Sequence, residues 1–181
     1  MRNYRVKSFA KINLALNVTG KLNLLHKIES IFCFINLHDT ITIKQIQSTD
    51  HRISYFGKFS KNISSNNTIT NLFKILDQEK LIRNKKFQIK INKNIPQQAG
   101  LGGGSMNAAR ILNFLIKKKY IKINQKKITD ISKSIGSDVI LGVDFKNGIL
   151  TSNNNLKKFS NCSKFYVLLV KPNFGCSTKT I

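Results

Sequence analysis

Hydrophobic and polar residues alternate near the start of the chain, which is the pattern of a β-strand that buries one face. Apolar side chains occupy every second position from Ile12 to Val18, and we expect them to point into the core. Alternate side chains on a strand share one face, so Lys11 and Asn13 are expected to point together to the other side of the sheet. There they can meet solvent or a ligand.

The same type of pattern predicts later strands. These cover residues 40–46, 51–59, 87–91 and 165–170. We expect the second of these segments to pair with the first. The dipeptide Asn147-Gly148 is typical of a two-residue hairpin turn, so a turn is predicted at that position.

Apolar residues at intervals of three and four predict three amphipathic helices. The first begins after Asn67, whose side chain suits an N-cap, and continues to about residue 76. The second covers 105–116, and the third covers 124–135 and ends at Gly136. Strands and helices are mixed without a regular β–α–β repeat, so we predict one α+β unit without internal repeats or linkers.

The charge is strongly unbalanced. The chain has 181 residues, with 31 Lys and Arg against 8 Asp and Glu, and a formal net charge of +23. Hydrophobic residues at 41% predict a folded domain and exclude a mainly disordered chain. The lysines are spread over the whole sequence, which weakens a nucleic-acid-binding interpretation. A basic RNA-binding module stays an alternative hypothesis, because a positive field favours any polyanion.

Features of secreted, membrane or metal-bound proteins are missing from the pattern. No apolar run reaches the roughly 18 residues that cross a bilayer, and the first residues lack the apolar segment of a signal peptide. We therefore expect a cytoplasmic protein. The three cysteines and three histidines have neither C-x-x-C nor paired-histidine spacing, so we expect neither disulfides nor a zinc site.

A glycine-rich segment between a predicted strand and a predicted helix carries the strongest chemical signal. Four of the ten residues from Pro96 to Ser105 are glycine. Glycine allows positive φ and lets backbone N–H groups approach a ligand without a Cβ in the way. The helix that follows offers free N–H donors and a partial positive charge, so the pattern predicts a site for nucleotide phosphates. Ser105 can cap this helix or contact the phosphate or its metal ion.

Three motifs in the same order resemble those of the GHMP kinases. The segment from Pro96 to Ala109 is similar to their P-x-x-x-G-L-G-G-G-S-S-N-A-A phosphate loop. Residues 10–14, Ala-Lys-Ile-Asn-Leu, resemble the family's opening strand, and residues 135–139, Ile-Gly-Ser-Asp-Val, resemble its G-A-D-V-P segment. His26 matches a histidine near the opening strand, although Leu25 stands where the family usually has tyrosine.

This resemblance implies the fold of a GHMP kinase N-terminal domain, which is ribosomal protein S5 domain 2-like. It also implies transfer of the γ-phosphoryl group of ATP, assisted by Mg²⁺, to the hydroxyl group of a small molecule. Asp138 would be the general base, and Lys11 its charged partner toward the same oxygen. The resemblance also assigns two sets of binding residues. ATP would be bound by Asn67, Pro96, Ala99, Gly100, Leu101, Gly102, Gly103, Gly104 and Ser105. The acceptor would be bound by Asn13, His26, Phe32 and Thr178. Ser105 would also reach Mg²⁺ through the nucleotide.

The motifs are most similar to the branch that phosphorylates the 2-hydroxyl of a cytidine diphosphate conjugate of methylerythritol, in the non-mevalonate route to isoprenoids. Residues 1–172 would then form the N-terminal ATP-binding domain, and 173–181 the start of a connection to a missing C-terminal domain. One alternative is an inactive remnant that only binds nucleotide. Another is a kinase of the same family with a different acceptor, such as mevalonate or homoserine.

Overall fold

The structure is a computed structural model that describes residues 2–22, 25–153, 155–159 and 164–172. The strands are β1 (Asn3–Leu22), β2 (Leu25–Ile46), β3 (Arg52–Phe56), β4 (Lys86–Asn92), β5 (Asn147–Leu150) and β6 (Leu156–Phe159). The helices are α1 (Thr68–Gln78), α2 (Gly103–Lys117), α3 (Gln125–Ile135) and the short α4 (Val139–Gly142). The predicted α+β architecture is confirmed.

Strand β2 organises the sheet because three other strands pair with it. β1 runs antiparallel along one edge, while β4 and β5 share the other edge, opposite residues 40–46 and 30–32. β3 then adds to β4 in parallel, and β6 adds to β5. The predicted pairing of 51–59 with 40–46 is therefore wrong. β1 and β4 occupy both edges of β2 over that segment, so β3 lies one strand further out.

The core lies between the sheet and the three longer helices. Alternate residues of β2 and β4 enter it, and the apolar stripes of α1, α2 and α3 cover them. Members of this cluster include Ile41, Ile43, Ile89, Ile91, Leu72, Leu76, Ile111, Leu112 and Ile131. All three predicted helices are confirmed, with Asn67 as N-cap of α1 and Gly136 as C-cap of α3. Within the described residues, no helix has the length and apolar character needed to cross a bilayer.

The second half of β1 differs from the expectation. Leu14 and Leu16 are each 51% exposed and Val18 is 63% exposed, so these side chains do not point into the core. The helices cover the strand only up to residue 12, and every residue from 13 to 19 is exposed. Shifts in register between Asn13 and Ala15, and again after Val18, also interrupt the regular alternation of the pairing.

Two further predictions near the end of the chain are wrong. Asn147 and Gly148 lie in β5 instead of a turn. A Cβ on Gly148 would lie 2.9 Å from the Phe32 ring, so glycine permits close packing here. Residues 165–170 form no strand, because they pair with no strand of the described residues, and Tyr166 is fully exposed. Residues 173–181 lie outside the described part of the chain.

Candidate active site

The glycine-rich segment leads from β4 into α2 and forms one wall of a cleft of about 990 Å³. Gly100 and Gly102 have φ values of +69° and +65°, which L side chains rarely adopt. Gly102 is the N-cap of α2 and contributes no side-chain hydrogen bond. The first intrahelical bond runs from Met106 N to Gly102 O (2.8 Å). The N–H groups of residues 103–105 therefore have no intrahelical acceptor and are suited to bind an anion.

Lys11 and Asp138 meet beside this loop. The Lys11 ammonium lies 3.2 Å from Asp138 Oδ2. The Lys11 side chain is 6% exposed and the Asp138 side chain 36%. The backbone N–H of Lys11 donates to Leu101 O (3.0 Å), and the Lys11 Cε lies 3.6 Å from the point that a Cβ on Gly102 would occupy. The strand that carries the lysine is thus fixed to the loop.

Asp138 keeps its carboxylate available for chemistry. The residue occupies the N-cap position of α4, but its side chain makes no capping hydrogen bond there. Its neighbour Gly136 ends α3, so the carboxylate emerges between two helices and lines the cleft. Sequence spacing alone gives no reason for Lys11 and Asp138 to meet, since 126 residues separate them; the fold supplies the contact.

The predicted acceptor-binding residues do not all share one surface. Asn13 is exposed, and its Oδ1 accepts hydrogen bonds from Lys11 Nζ (3.2 Å) and Ser30 Oγ (3.1 Å). Phe32 is a correction, because its side chain is fully buried under Gly148 and against Phe34, and no face is left for a ligand. The side chain of His26 and all of Thr178 lie outside the described residues.

Asn67 lines the cleft together with Pro96 and Ala99, but its amide is committed to the protein. Oδ1 accepts from Ile69 N (3.0 Å) and from the hydroxyl of Tyr55 (2.9 Å), and Nδ2 donates to Ser64 O (2.7 Å). Burial raises the pKa of Tyr55 to about 12, so the phenol stays protonated and donates. The amide shapes the cleft wall and fixes the start of α1.

Ser105 is half-buried at the first turn of α2 and lines the cleft. Its hydroxyl makes no hydrogen bond to a described residue. The described residues contain no group of three or more His, Cys, Asp or Glu side chains that could hold a metal ion. A cation at this site would therefore share its ligands with a bound molecule.

A second lysine–aspartate pair lies beneath the loop, and the sequence analysis missed it. Lys93 Nζ bonds to Asp39 Oδ2, and both residues are buried together with Asn107. The alternation of inward-facing and outward-facing residues in β2 and β4 could have indicated this pair. Asp39 continues the inward series of Ile41 and Ile43 in β2, just as Lys93 follows the inward residues of β4. The register that pairs Thr40 with Asn92 makes the two charges neighbours.

Comparison with known proteins agrees with this geometry. A family model described as the GHMP kinases N terminal domain matches residues 67–145. The 4-diphosphocytidyl-2-C-methyl-D-erythritol kinase of Pelagibacter ubique (strain HTCC1062) is 59% identical over all of this chain and 64% of its own length. The enzyme of the same name from Fusobacterium nucleatum subsp. nucleatum (strain ATCC 25586) is 33% identical over 99% of this chain and 62% of its own length.

Solved structures show the same fold. A crystal structure of 4-(cytidine 5'-diphospho)-2C-methyl-D-erythritol kinase superposes with a TM-score of 0.68 at 20% identity, over 87% of this chain and 55% of that one. The present chain thus spans less than two thirds of the length of these relatives. The ordered motifs, the glycine-rich loop and the similarity over the full 181 residues agree. Residues 67–145 match the N-terminal domain of the GHMP kinases, and the chain has the fold of that domain.

Proposed function

We propose that this chain binds ATP with its phosphates at the glycine-rich loop and transfers the γ-phosphoryl group to the hydroxyl of a small molecule. The observation that carries the proposal is the 3.2 Å contact between Lys11 and Asp138 at the end of that loop. Phosphoryl transfer depends mainly on positioning and on stabilisation of charge. A lysine, a carboxylate and a row of free N–H groups supply both.

In the proposed reaction, the Asp138 carboxylate accepts the proton of the acceptor hydroxyl as the hydroxyl oxygen attacks the γ-phosphorus of ATP, and the bond to the leaving ADP breaks. The largely buried Lys11 ammonium stabilises negative charge on the attacking oxygen and on the phosphoryl group that is transferred. The N–H groups at the start of α2 bind the phosphate oxygens of the nucleotide. Asn13 holds Lys11 in place through the 3.2 Å hydrogen bond from the ammonium to its Oδ1.

Mg²⁺ fits the donors at this site. It prefers oxygen ligands and is commonly held by one or two protein groups plus substrate phosphates. The half-buried Ser105 hydroxyl is an oxygen donor that lines the cleft next to the free N–H groups of α2. When bound, the ion would neutralise charge on the phosphates.

We propose 4-diphosphocytidyl-2-C-methyl-D-erythritol, phosphorylated at its 2-hydroxyl, as the acceptor. The support is the name of the relative that is 59% identical over the whole of this chain. The RNA-binding alternative rests on the net charge and on the fold type shared with a ribosomal-protein domain, whereas the relatives are named as kinases. Mevalonate or homoserine as acceptor has less support, because the relatives given above are named as 4-diphosphocytidyl-2-C-methyl-D-erythritol kinases.

Turnover by the purified chain, measured with ATP, Mg²⁺ and the cytidyl acceptor, tests the proposal. We expect Asp138→Asn to lower kcat by about 10²–10⁴-fold, because a general base is lost. ATP affinity should stay within about threefold, since the carboxylate is not a phosphate ligand in this mechanism. Asp144→Asn is the matched control, because this carboxylate pairs with Lys158 and does not line the cleft.

The outcomes separate the alternatives. Turnover that Asp138→Asn abolishes and Asp144→Asn preserves supports the kinase. ATP binding without product at high enzyme concentration would indicate a chain that only binds nucleotide. Salt-sensitive RNA binding that does not respond to Asp138→Asn, without ATP binding, would favour the RNA-binding module.

A further inference from the structure

The buried Lys93–Asp39 pair takes no part in the proposed reaction, yet it lies directly under the loop. Both carboxylate oxygens of Asp39 are fully used. Oδ1 accepts from the backbone N–H groups of Asn94 and Ile95, each at 2.8 Å. Oδ2 accepts from Lys93 Nζ and from Asn107 Nδ2, the latter at 2.8 Å. Four donors thus converge on one carboxylate that has no exposed surface.

These donors come from the two ends of the glycine-rich loop. Asn94 and Ile95 directly precede Pro96, where the loop begins, and Asn107 follows Ser105, where it ends. Asp39 belongs to β2, so a single carboxylate connects the entry and the exit of the loop to the central strand of the sheet. The Lys93 ammonium lies 3.3 Å from the point that a Cβ on Gly103 would occupy, and it therefore supports the first residue of α2 from below.

We infer that Asp39, together with Lys93 and Asn107, is a positioning residue that holds the loop in its phosphate-binding shape before a nucleotide arrives; this inference rests on the proposed function. A segment rich in glycine loses more conformational freedom than any other when it is ordered. Fixing both ends in the free protein removes part of that cost from binding. The partner charge of Lys93 also keeps Asp39 from repelling phosphates.

Affinity for ATP and for adenosine, which lacks phosphates, is the first readout. In the 181-residue chain, we expect Asp39→Asn to weaken ATP binding by at least about tenfold in isothermal titration, and to change adenosine binding by less than about twofold. A purely structural effect would lower the folded fraction and leave both dissociation constants of the folded protein unchanged. Asp77→Asn is the control, because that carboxylate also holds two partners but lies away from the loop.

Hydrogen exchange in the nucleotide-free protein is the second readout. Backbone amides of residues 96–107 should exchange faster in Asp39→Asn than in wild type, and by a larger factor than those of α3, which report the loss of global stability. In Asp77→Asn, both segments should exchange as in wild type. Equal exchange over 96–107 in all three proteins, or a parallel loss of ATP and adenosine affinity, would overturn the inference.

Two more variants keep the test decisive if Asp39→Asn does not fold. Asn107→Ala leaves the ion pair and frees only the exit of the loop, so ATP affinity should fall by about threefold or more. The double variant Asp39→Asn with Lys93→Met removes both charges and should also show faster exchange over 96–107. Wild-type ATP affinity in both would refute the inference. Failure of wild type itself to bind ATP would instead refute the proposed function, while exchange would still report on the loop.

Discussion

Two lysine–aspartate pairs contact the same glycine-rich loop, and they differ in their access to solvent. The Lys11–Asp138 pair faces the cleft, with the Asp138 side chain 36% exposed. In the Lys93–Asp39 pair the carboxylate is closed off, and Asp39 accepts four hydrogen bonds. A saturated, buried carboxylate has no lone pair left for a substrate and can only hold structure. An exposed carboxylate with one charged partner retains lone pairs for a proton.

The largest effect is expected when the buried Lys93–Asp39 pair is broken. Asp39→Asn leaves the Lys93 ammonium without its counter-charge in the interior, and we expect the free energy of unfolding to fall by about 3–5 kcal/mol. Asp138→Asn removes a carboxylate that is 36% exposed and partly screened by water, so it should lower the free energy of unfolding by less. Urea unfolding followed by circular dichroism measures both. Equal losses in the two variants would contradict the distinction between the pairs.

A smaller effect is expected from the loop itself, with both pairs intact. Gly102→Ala forces a side chain into a φ of +65°, which should cost about 1–2 kcal/mol of stability and weaken ATP binding. Gly136→Ala is the matched control. Its φ is extended, and a Cβ there would meet Val139 Cγ2 at an ordinary 3.8 Å. Thermal unfolding compares the two, and an equally destabilised control would show that strain at Gly102 is not the cause.

The smallest effect concerns a third carboxylate, Asp77, which is 36% exposed like Asp138 but has two charged or polar partners instead of one. It contacts Lys86 (2.8 Å) and the ring of His51 (3.2 Å). Burial lowers the pKa of His51, an effect that Asp77 opposes and Lys86 reinforces. The ring also accepts a hydrogen bond from Phe87 N at Nδ1 (3.1 Å), which a second ring proton would break.

Below pH 6.5 the unfolded chain therefore binds a proton at His51 before the folded chain does. The free energy of unfolding should consequently decrease as the pH falls from 7 through 6.5 toward the lowered pKa. Denaturant titrations at several pH values measure this slope, and His51→Gln should reduce it. An unchanged slope in that variant would assign the pH dependence to other groups.

The parts of the fold that the sequence predicted well are those in which one face is buried along the whole element. The stripes of α1, α2 and α3 and the alternation of β4 meet this condition. β1 meets it only up to residue 12, because within the described part of the chain its side chains are exposed from residue 13 to residue 19. Its apolar alternation continues without a core to receive it. The partner of β3 was missed for another reason, since local patterns carry no information about which edge is already occupied.

For the candidate site, the glycines predicted the loop because positive φ and close approach restrict the residue type strongly. The resemblance to a known family brought Lys11 and Asp138 to attention, which charge counting among 31 basic residues does not do. Phe32 was assigned to the ligand and lies in the core, since an aromatic residue fits either place. To predict the Asp39–Lys93 pair, the alternation of inward-facing residues must be extended by one position in each strand. The register between β2 and β4 must also be known.

The apolar outer part of β1 has a consequence for the behaviour of the chain in solution. Leu14, Leu16 and Val18 form an exposed apolar face on a molecule whose net charge of +23 makes its copies repel one another. Salt shortens the range of that repulsion to about 8 Å at 0.15 M and leaves the contact between leucines intact. Self-association should therefore increase with ionic strength. The binding of polyanions would instead weaken as ionic strength rises.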